Sequence, residues 1–183
     1  MPNHPYTLEQ FCENTRATLR QDPGRAGQER VCADFERLLQ SPAFVDKYCA
    51  PELERKLYRV HTDPELGFEV LVHLNKAARK SPPHDHGESW AIYGQVTRWV
   101  DITNYRRIDD GRQPGRADLT PTESFRLEPG QARLFPQGAI HAIDYPDQAV
   151  FARVTGRDLD AFHRDMFDLE TGTVTRMTPQ RAS

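Results

Sequence analysis

The sequence predicts a mainly β fold, a sandwich or barrel of jelly-roll type, preceded by a helical segment. Two observations carry this reading. Helical periodicity fills roughly the first 50 residues and then stops. From Lys56 onward, short alternating runs follow at fairly regular spacing, with turn residues between them and no interleaved helices. At 183 residues the chain is long enough for one domain with its own core.

The helical segment comes first. Thr7 and Gln10 suit a capping box, and Leu8, Phe11, Thr15 and Leu19 recur at helical spacing. Val31, Phe35, Leu38 and Leu39 form a second stripe that ends near Ser41-Pro42, and a third short helix can follow. Then "KLYRVHT" (56–62) and "FEVLVHLN" (68–75) flank the turn "DPELG". Further strands are expected in "WAIYGQVTRWVDIT" (90–103), "SFRLEPG" (124–130), "QARLFP" (131–136), "AIHAIDY" (139–145) and "AVFARVTG" (149–156). Residues 108–120, polar and rich in Gly and Pro, read as an exposed loop, and "FDLETGTV" (167–174) reads as a closing hairpin or strand. The expected organisation is helices over 1–55 packing on a barrel over 56–175, with a tail at 176–183.

Composition narrows the function classes. Charged residues make up 28% and apolar residues 37%, and the net charge of −3 offers no attraction to nucleic acid or an anionic membrane. No apolar run approaches the roughly 20 residues a bilayer span needs. "MPNHPYTLEQ" has neither a basic stretch nor an apolar one, so a cytoplasmic location is expected. Cys12, Cys32 and Cys49, an odd and dispersed set without CxxC spacing, read as reduced thiols packed among helices.

The chemistry concentrates in "PPHDHGESW" (82–90). Side chains at i and i+2 of an extended segment share a face, so His84 and His86 can point inward together while Asp85 points away. Two imidazoles seldom make a firm metal site, and a third is offered by His141 in "PGQARLFPQGAIH". There Gly130, Pro136 and Gly138 turn the chain ahead of the histidine-bearing strand. His61 and His73, on strands, read as hydrogen-bonded structural histidines, and His4 and His163 as exposed.

These two segments resemble the paired motifs of the cupin superfamily, which implies a double-stranded β-helix with a metal inside the barrel. The second motif fits at Gly130, Pro136, Gly138 and His141. The first departs from it: where cupins carry a glutamate, four or five residues after the second histidine, this chain has Trp90 and Ala91. A cupin without that carboxylate is similar to the cysteine dioxygenase (thiol dioxygenase) branch, whose ferrous iron is held by three histidines. "LYRVHTDPELGFEVLVHLNKAARKSPPHDHG" and "FDLETG" resemble the corresponding runs of that branch, so the likeness covers about residues 55–175. It implies that Arg59 falls near the arginine receiving the substrate carboxylate. Phe151, Arg153 and Thr155 stand where the branch has Ser-x-His-x-Tyr, and Ala91 stands where the animal enzymes have a crosslinked cysteine.

The resemblance implies a non-haem Fe(II) dioxygenase that oxidises a small thiol-bearing carboxylate to a sulfinate. Its partners would be a small-molecule substrate and dioxygen, with no nucleic acid and no membrane, and a homodimer is open. Three neutral imidazoles leave a divalent ion its full charge and invite an anionic chelating ligand. They suit Zn, Ni, Co or Cu as well as iron. Arg59 and Arg153, each within a strand, are the candidate carboxylate receptors, with Tyr93 beside them. Glu88 and Trp90 are expected next to the ligands or in the pocket wall. Two other readings keep the metal: an isomerase, lyase or C–C cleaving dioxygenase, or a non-catalytic metal or small-molecule binding cupin.

Overall fold

Thr7 opens the first helix as expected: its hydroxyl accepts from the Gln10 N–H while the Gln10 side chain accepts from the Thr7 N–H. The computed structural model describes residues 5–50 and 57–179. His4, the junction at 55/56 and residues 180–183 of the expected tail lie outside them. Helices α1 (Leu8–Gln21), α2 (Arg25–Leu39) and α3 (Pro42–Tyr48) precede all strands. The stripes read from sequence are their buried faces: Leu8, Phe11, Thr15 and Leu19 on α1, and Val31, Phe35, Leu38 and Leu39 on α2.

Eleven strands follow among the described residues: β1 (Leu57–Thr62), β2 (Glu69–Leu74), β3 (Arg79–Lys80), β4 (Ala91–Thr97), β5 (Val100–Arg107), β6 (Leu119–Leu127), β7 (Ala132–Phe135), β8 (Ile140–Tyr145), β9 (Val150–Thr155), β10 (Arg164–Asp168) and β11 (Thr173–Met177). Nine of them make two antiparallel sheets, in the orders β1-β2-β9-β4-β7 and β3-β8-β5-β6, and β10 and β11 form a separate hairpin. The turn between β1 and β2 is held by Asp63, whose carboxylate accepts from the N–H groups of Glu65 and Leu66. The same carboxylate receives Arg16 of α1 at 2.8 Å, which ties the first hairpin to the helices.

Alternation along the five-stranded sheet separates two cores. On the outer face Val70, Val72, Ile92, Ala152 and Val154 pack against Phe11, Val31, Phe35 and Leu38 of the helices. On the inner face Ala91, Tyr93, Phe135 and Phe151 meet Val100, Ile102, Leu127, Ile143 and Tyr145 of the facing sheet. Gly94 allows the helices their close approach, since a Cβ there would lie 2.4 Å from Leu39 and 2.7 Å from Phe35. The two sheets face each other across a barrel-like β core, with the N-terminal helices on one wall.

Three expectations need correcting. Residues 90–103 are not one strand: β4 and β5 lie in different sheets, and the chain crosses between them at Arg98, whose φ is 62°. The loop expected at 108–120 ends earlier, because β6 begins at Leu119 as an edge strand paired only with β5. The tail expected from residue 176 is still strand to Met177, held by pairing to β10.

Candidate metal centre

His141 lies on β8 and is fully buried. Residues 79–84 run alongside β8, pairing Arg79 with Tyr145, Lys80 with Asp144, and then His84 with His141. The register slips by one residue in between, at Pro82-Pro83, which have no N–H to give to a ladder. Beyond His84 the segment is clamped from the other side by β10. Asp85 N–H donates to the Asp165 carbonyl at 3.0 Å, and Phe167 N–H donates to the Pro83 carbonyl at 2.8 Å. The Asp85 carboxylate points away from the histidines and accepts from the N–H groups of Gly87 (3.0 Å) and Asp165 (2.9 Å).

The result brings His84, His86 and His141 together, with one ring nitrogen of each within 4.8 Å of the others. Among the described residues, no carboxylate or thiolate joins the group. The His84 Nδ1 lies 3.0 Å from the Pro82 carbonyl, an arrangement that places the proton on Nδ1 and leaves Nε2 free. The Nδ1 of His86 and both ring nitrogens of His141 are buried without hydrogen-bond partners. Orphaned buried nitrogens are costly unless something receives them, and three converging imidazoles fit a divalent transition-metal ion. Burial first, and then neighbouring positive charge, lowers the pKa of His86 and His141 well below the ordinary imidazole value; burial also lowers that of His84. All three are therefore neutral, as metal ligands must be.

The walls are aromatic and cationic. The Phe135 ring lies 4.3 Å from that of His141, centroid to centroid. The Tyr93 hydroxyl, on the inner face of β4, is 3.3 Å from His86 Nε2. Arg153, directly across from Tyr93 in the β4–β9 register, donates from Nη1 to that hydroxyl at 3.4 Å. The Arg153 Nε is buried and unpartnered, and no carboxylate pairs with its guanidinium among the described residues.

The other sequence candidates stand apart from the histidines. Arg59 shares a cross-strand row with Leu71, Arg153 and Tyr93, yet its guanidinium is engaged elsewhere. It pairs with the buried Glu69 at 2.9 Å and with Asp158 at 3.2 Å. Glu88 is exposed and pairs with Arg157 at 3.2 Å, because Gly87, at φ +56°, turns the chain outward before it. Trp90 packs against the core beneath the helices and covers Gly156, where a Cβ would meet its indole at 2.4 Å. His73 stacks on Phe151 at 4.4 Å with its Nε2 unpartnered, and His61 lies 3.9 Å from Asp63. The thiols of Cys12, Cys32 and Cys49 are free, and burial pushes each up to about 12. Arg164, which sequence reading passed over, stands beside the HxH segment on β10; it sits in the mixed run "RDMFD", whose adjacent Met166 and Phe167 break any polar–apolar alternation that could flag it.

A β-barrel core carrying three converging histidines that could hold a metal ion is the class that fold and site define. Comparison with solved structures returns cupin-fold proteins at low identity. The cupin domain of Schizosaccharomyces pombe Cnp3 is 11% identical with a TM-score of 0.42, over 57% of this chain and 67% of that one. The DMSP lyase DddQ from Ruegeria pomeroyi is 19% identical with a TM-score of 0.41, over 69% of this chain and 53% of that one, so the chain spans about half of its length. KdgF from Halomonas sp. is 19% identical with a TM-score of 0.40, over 56% of this chain and 78% of that one. No protein-family model matches the chain, and no curated protein matches it. Among the described residues, no helix is long and apolar enough to cross a membrane.

Proposed function

We propose that this protein is a metal-dependent cupin enzyme, a non-haem Fe(II) dioxygenase that converts a small thiol-bearing carboxylate to its sulfinate. The observation that carries the reading is the combination of an all-histidine ligand group with an unpaired guanidinium, Arg153, on the same inner wall. With no protein carboxylate to neutralise a divalent ion, the anionic ligand comes from the substrate. A thiolate with an attached carboxylate supplies it, and Arg153 receives the carboxylate as a charge-assisted pair. Tyr93 holds Arg153 in place through its hydroxyl and fixes the orientation of His86. The aromatic wall of Phe135 and Phe151 keeps competing water out.

Ferrous iron, when bound, supplies the redox chemistry that unites thiolate and dioxygen. The net change is R–S⁻ + O₂ → R–SO₂⁻, in which both oxygen atoms go to sulfur, sulfur loses four electrons and dioxygen gains them. Oxygen consumption by the iron-loaded protein with cysteine, 3-mercaptopropionate, mercaptosuccinate and cysteamine tests the proposal. Uptake matched by a sulfinate product by mass spectrometry is expected, and no uptake with any of the four overturns it. A second reading rests on Tyr93: its hydroxyl, 3.3 Å from His86 Nε2 and receiving Arg153, is placed to donate or relay a proton to a chelating acid held beside the histidines, which is lyase or isomerase chemistry. Turnover of a chelating acid without oxygen uptake, lost in Tyr93→Phe, would favour it.

A further inference from the structure

Arg164 is the cation at this site that the proposed reaction leaves unused. The pairing of His84 with Met166 sets β10 against the HxH segment, and Arg164 stands two residues from Met166 on β10, on the same face of the strand. Residues directly opposite in an antiparallel pair share a face, so Arg164 and Met166 project to the side of His84. The two arginines stand on different walls, one on β9 of the five-stranded sheet and one on the hairpin.

The guanidinium of Arg164 is not satisfied by the protein. Its Nη2 lies a long 3.4 Å from Asp160, and its Nε is buried with no partner. Its side chain is only 19% exposed, so water does not readily replace the missing acceptor. A divalent ion, Arg153 and Arg164 together present far more positive charge than Asp160 offsets. A monocarboxylate thiolate leaves one of the two forks empty.

We propose that Arg164 is a specificity-determining residue that receives a second carboxylate, so that the substrate is a dicarboxylate, with one carboxylate at Arg153 and the other at Arg164. This rests on the reading of the three histidines as a metal centre with Arg153 as the first carboxylate receptor. It does not rest on the redox chemistry. A probe without a thiol therefore separates the two claims: succinate against butyrate, four-carbon acids that differ in the second carboxylate.

Binding of each to the zinc-loaded protein is measured by calorimetry for the wild type, Arg164→Gln and Arg164→Lys, with metal content measured alongside. Succinate should bind at least about tenfold more tightly than butyrate to the wild type. Arg164→Gln should remove that preference while leaving butyrate affinity and metal content unchanged, and Arg164→Lys should keep part of it. Equal affinity of the wild type for the two acids, no binding of succinate, or equal loss of both acids in Arg164→Gln would each overturn the proposal. If Arg164→Gln does not fold, the wild-type ratio and Arg164→Lys still decide. Failure of thiol oxidation with the succinate preference intact would remove the dioxygenase and leave the dicarboxylate site standing.

Discussion

His84 and His141 exchange main-chain hydrogen bonds, the N–H of each donating to the carbonyl of the other at 2.9 and 3.0 Å. Two of the three candidate ligands are thus directly opposed residues on neighbouring extended segments, and their rings fall on one face for that reason. Side-chain packing refines this placement but does not create it. His86 joins them through the two-residue repeat of the same segment.

Replacing His141 by Ala removes the one ligand that the four-stranded sheet holds outright. Metal affinity should fall by more than about 100-fold, since loss of mere outer partners already costs about 10–100-fold. Metal stoichiometry after dialysis checks it, and unchanged stoichiometry would refute the three-histidine centre.

Gly87→Ala should destabilise the protein by about 2–4 kcal/mol and weaken metal retention as well. The position has φ +56°, and an added Cβ would sit 2.3 Å from the His163 carbonyl oxygen. Thermal unfolding with and without added metal measures both effects.

Arg59 and Arg153 should behave differently when truncated. Arg59→Ala leaves the carboxylate of Glu69, only 3% exposed, without its nearest cation, and should cost about 2–3 kcal/mol of stability. Arg153→Gln should instead raise KM for a carboxylate substrate by about tenfold or more, with metal occupancy intact. A KM effect confined to Arg59→Ala would reassign the carboxylate to Arg59.

Stability of the metal-free protein should decline as pH falls below 6.5. Burial first, and then the charge of Arg153, lowers the pKa of His73 well below that ordinary value. Between the lowered native value and 6.5 the unfolded chain binds a proton that the folded chain does not. This contribution is therefore fully present above 6.5 and is lost on acidification. His73→Gln should reduce the slope by up to about 1.4 kcal/mol per pH unit, read by urea unfolding with a chelator present.

The three helices and the three histidines were legible because each rests on a short-range rule. The capping box at Thr7 and Gln10 and the 3.6-residue stripes need only local sequence, and HxH needs only the two-residue strand repeat. What was hidden depends on distant partners. β3 is two exposed residues that become strand only because β8 lies alongside. Arg98 at positive φ splits a continuous apolar-alternating run between two sheets, which no pattern of side chains announces. Arg59 and Arg153 look alike in sequence, each an arginine inside a strand. Glu69 and Asp158 distinguish them, and neither is a local neighbour of Arg59.

Gly94, one residue from Tyr93, marks how far the helices press into the wall of the barrel. The surface they press on is a plate of Val70, Val72, Ile92, Ala152 and Val154 as apolar as any interior. A chain trimmed to begin at β1 would show that plate to water and hide it against another copy of itself. Shortened versions made to isolate the metal chemistry would then report on an aggregate. For expression and engineering, the helices are one side of the vessel wall rather than a handle attached to it.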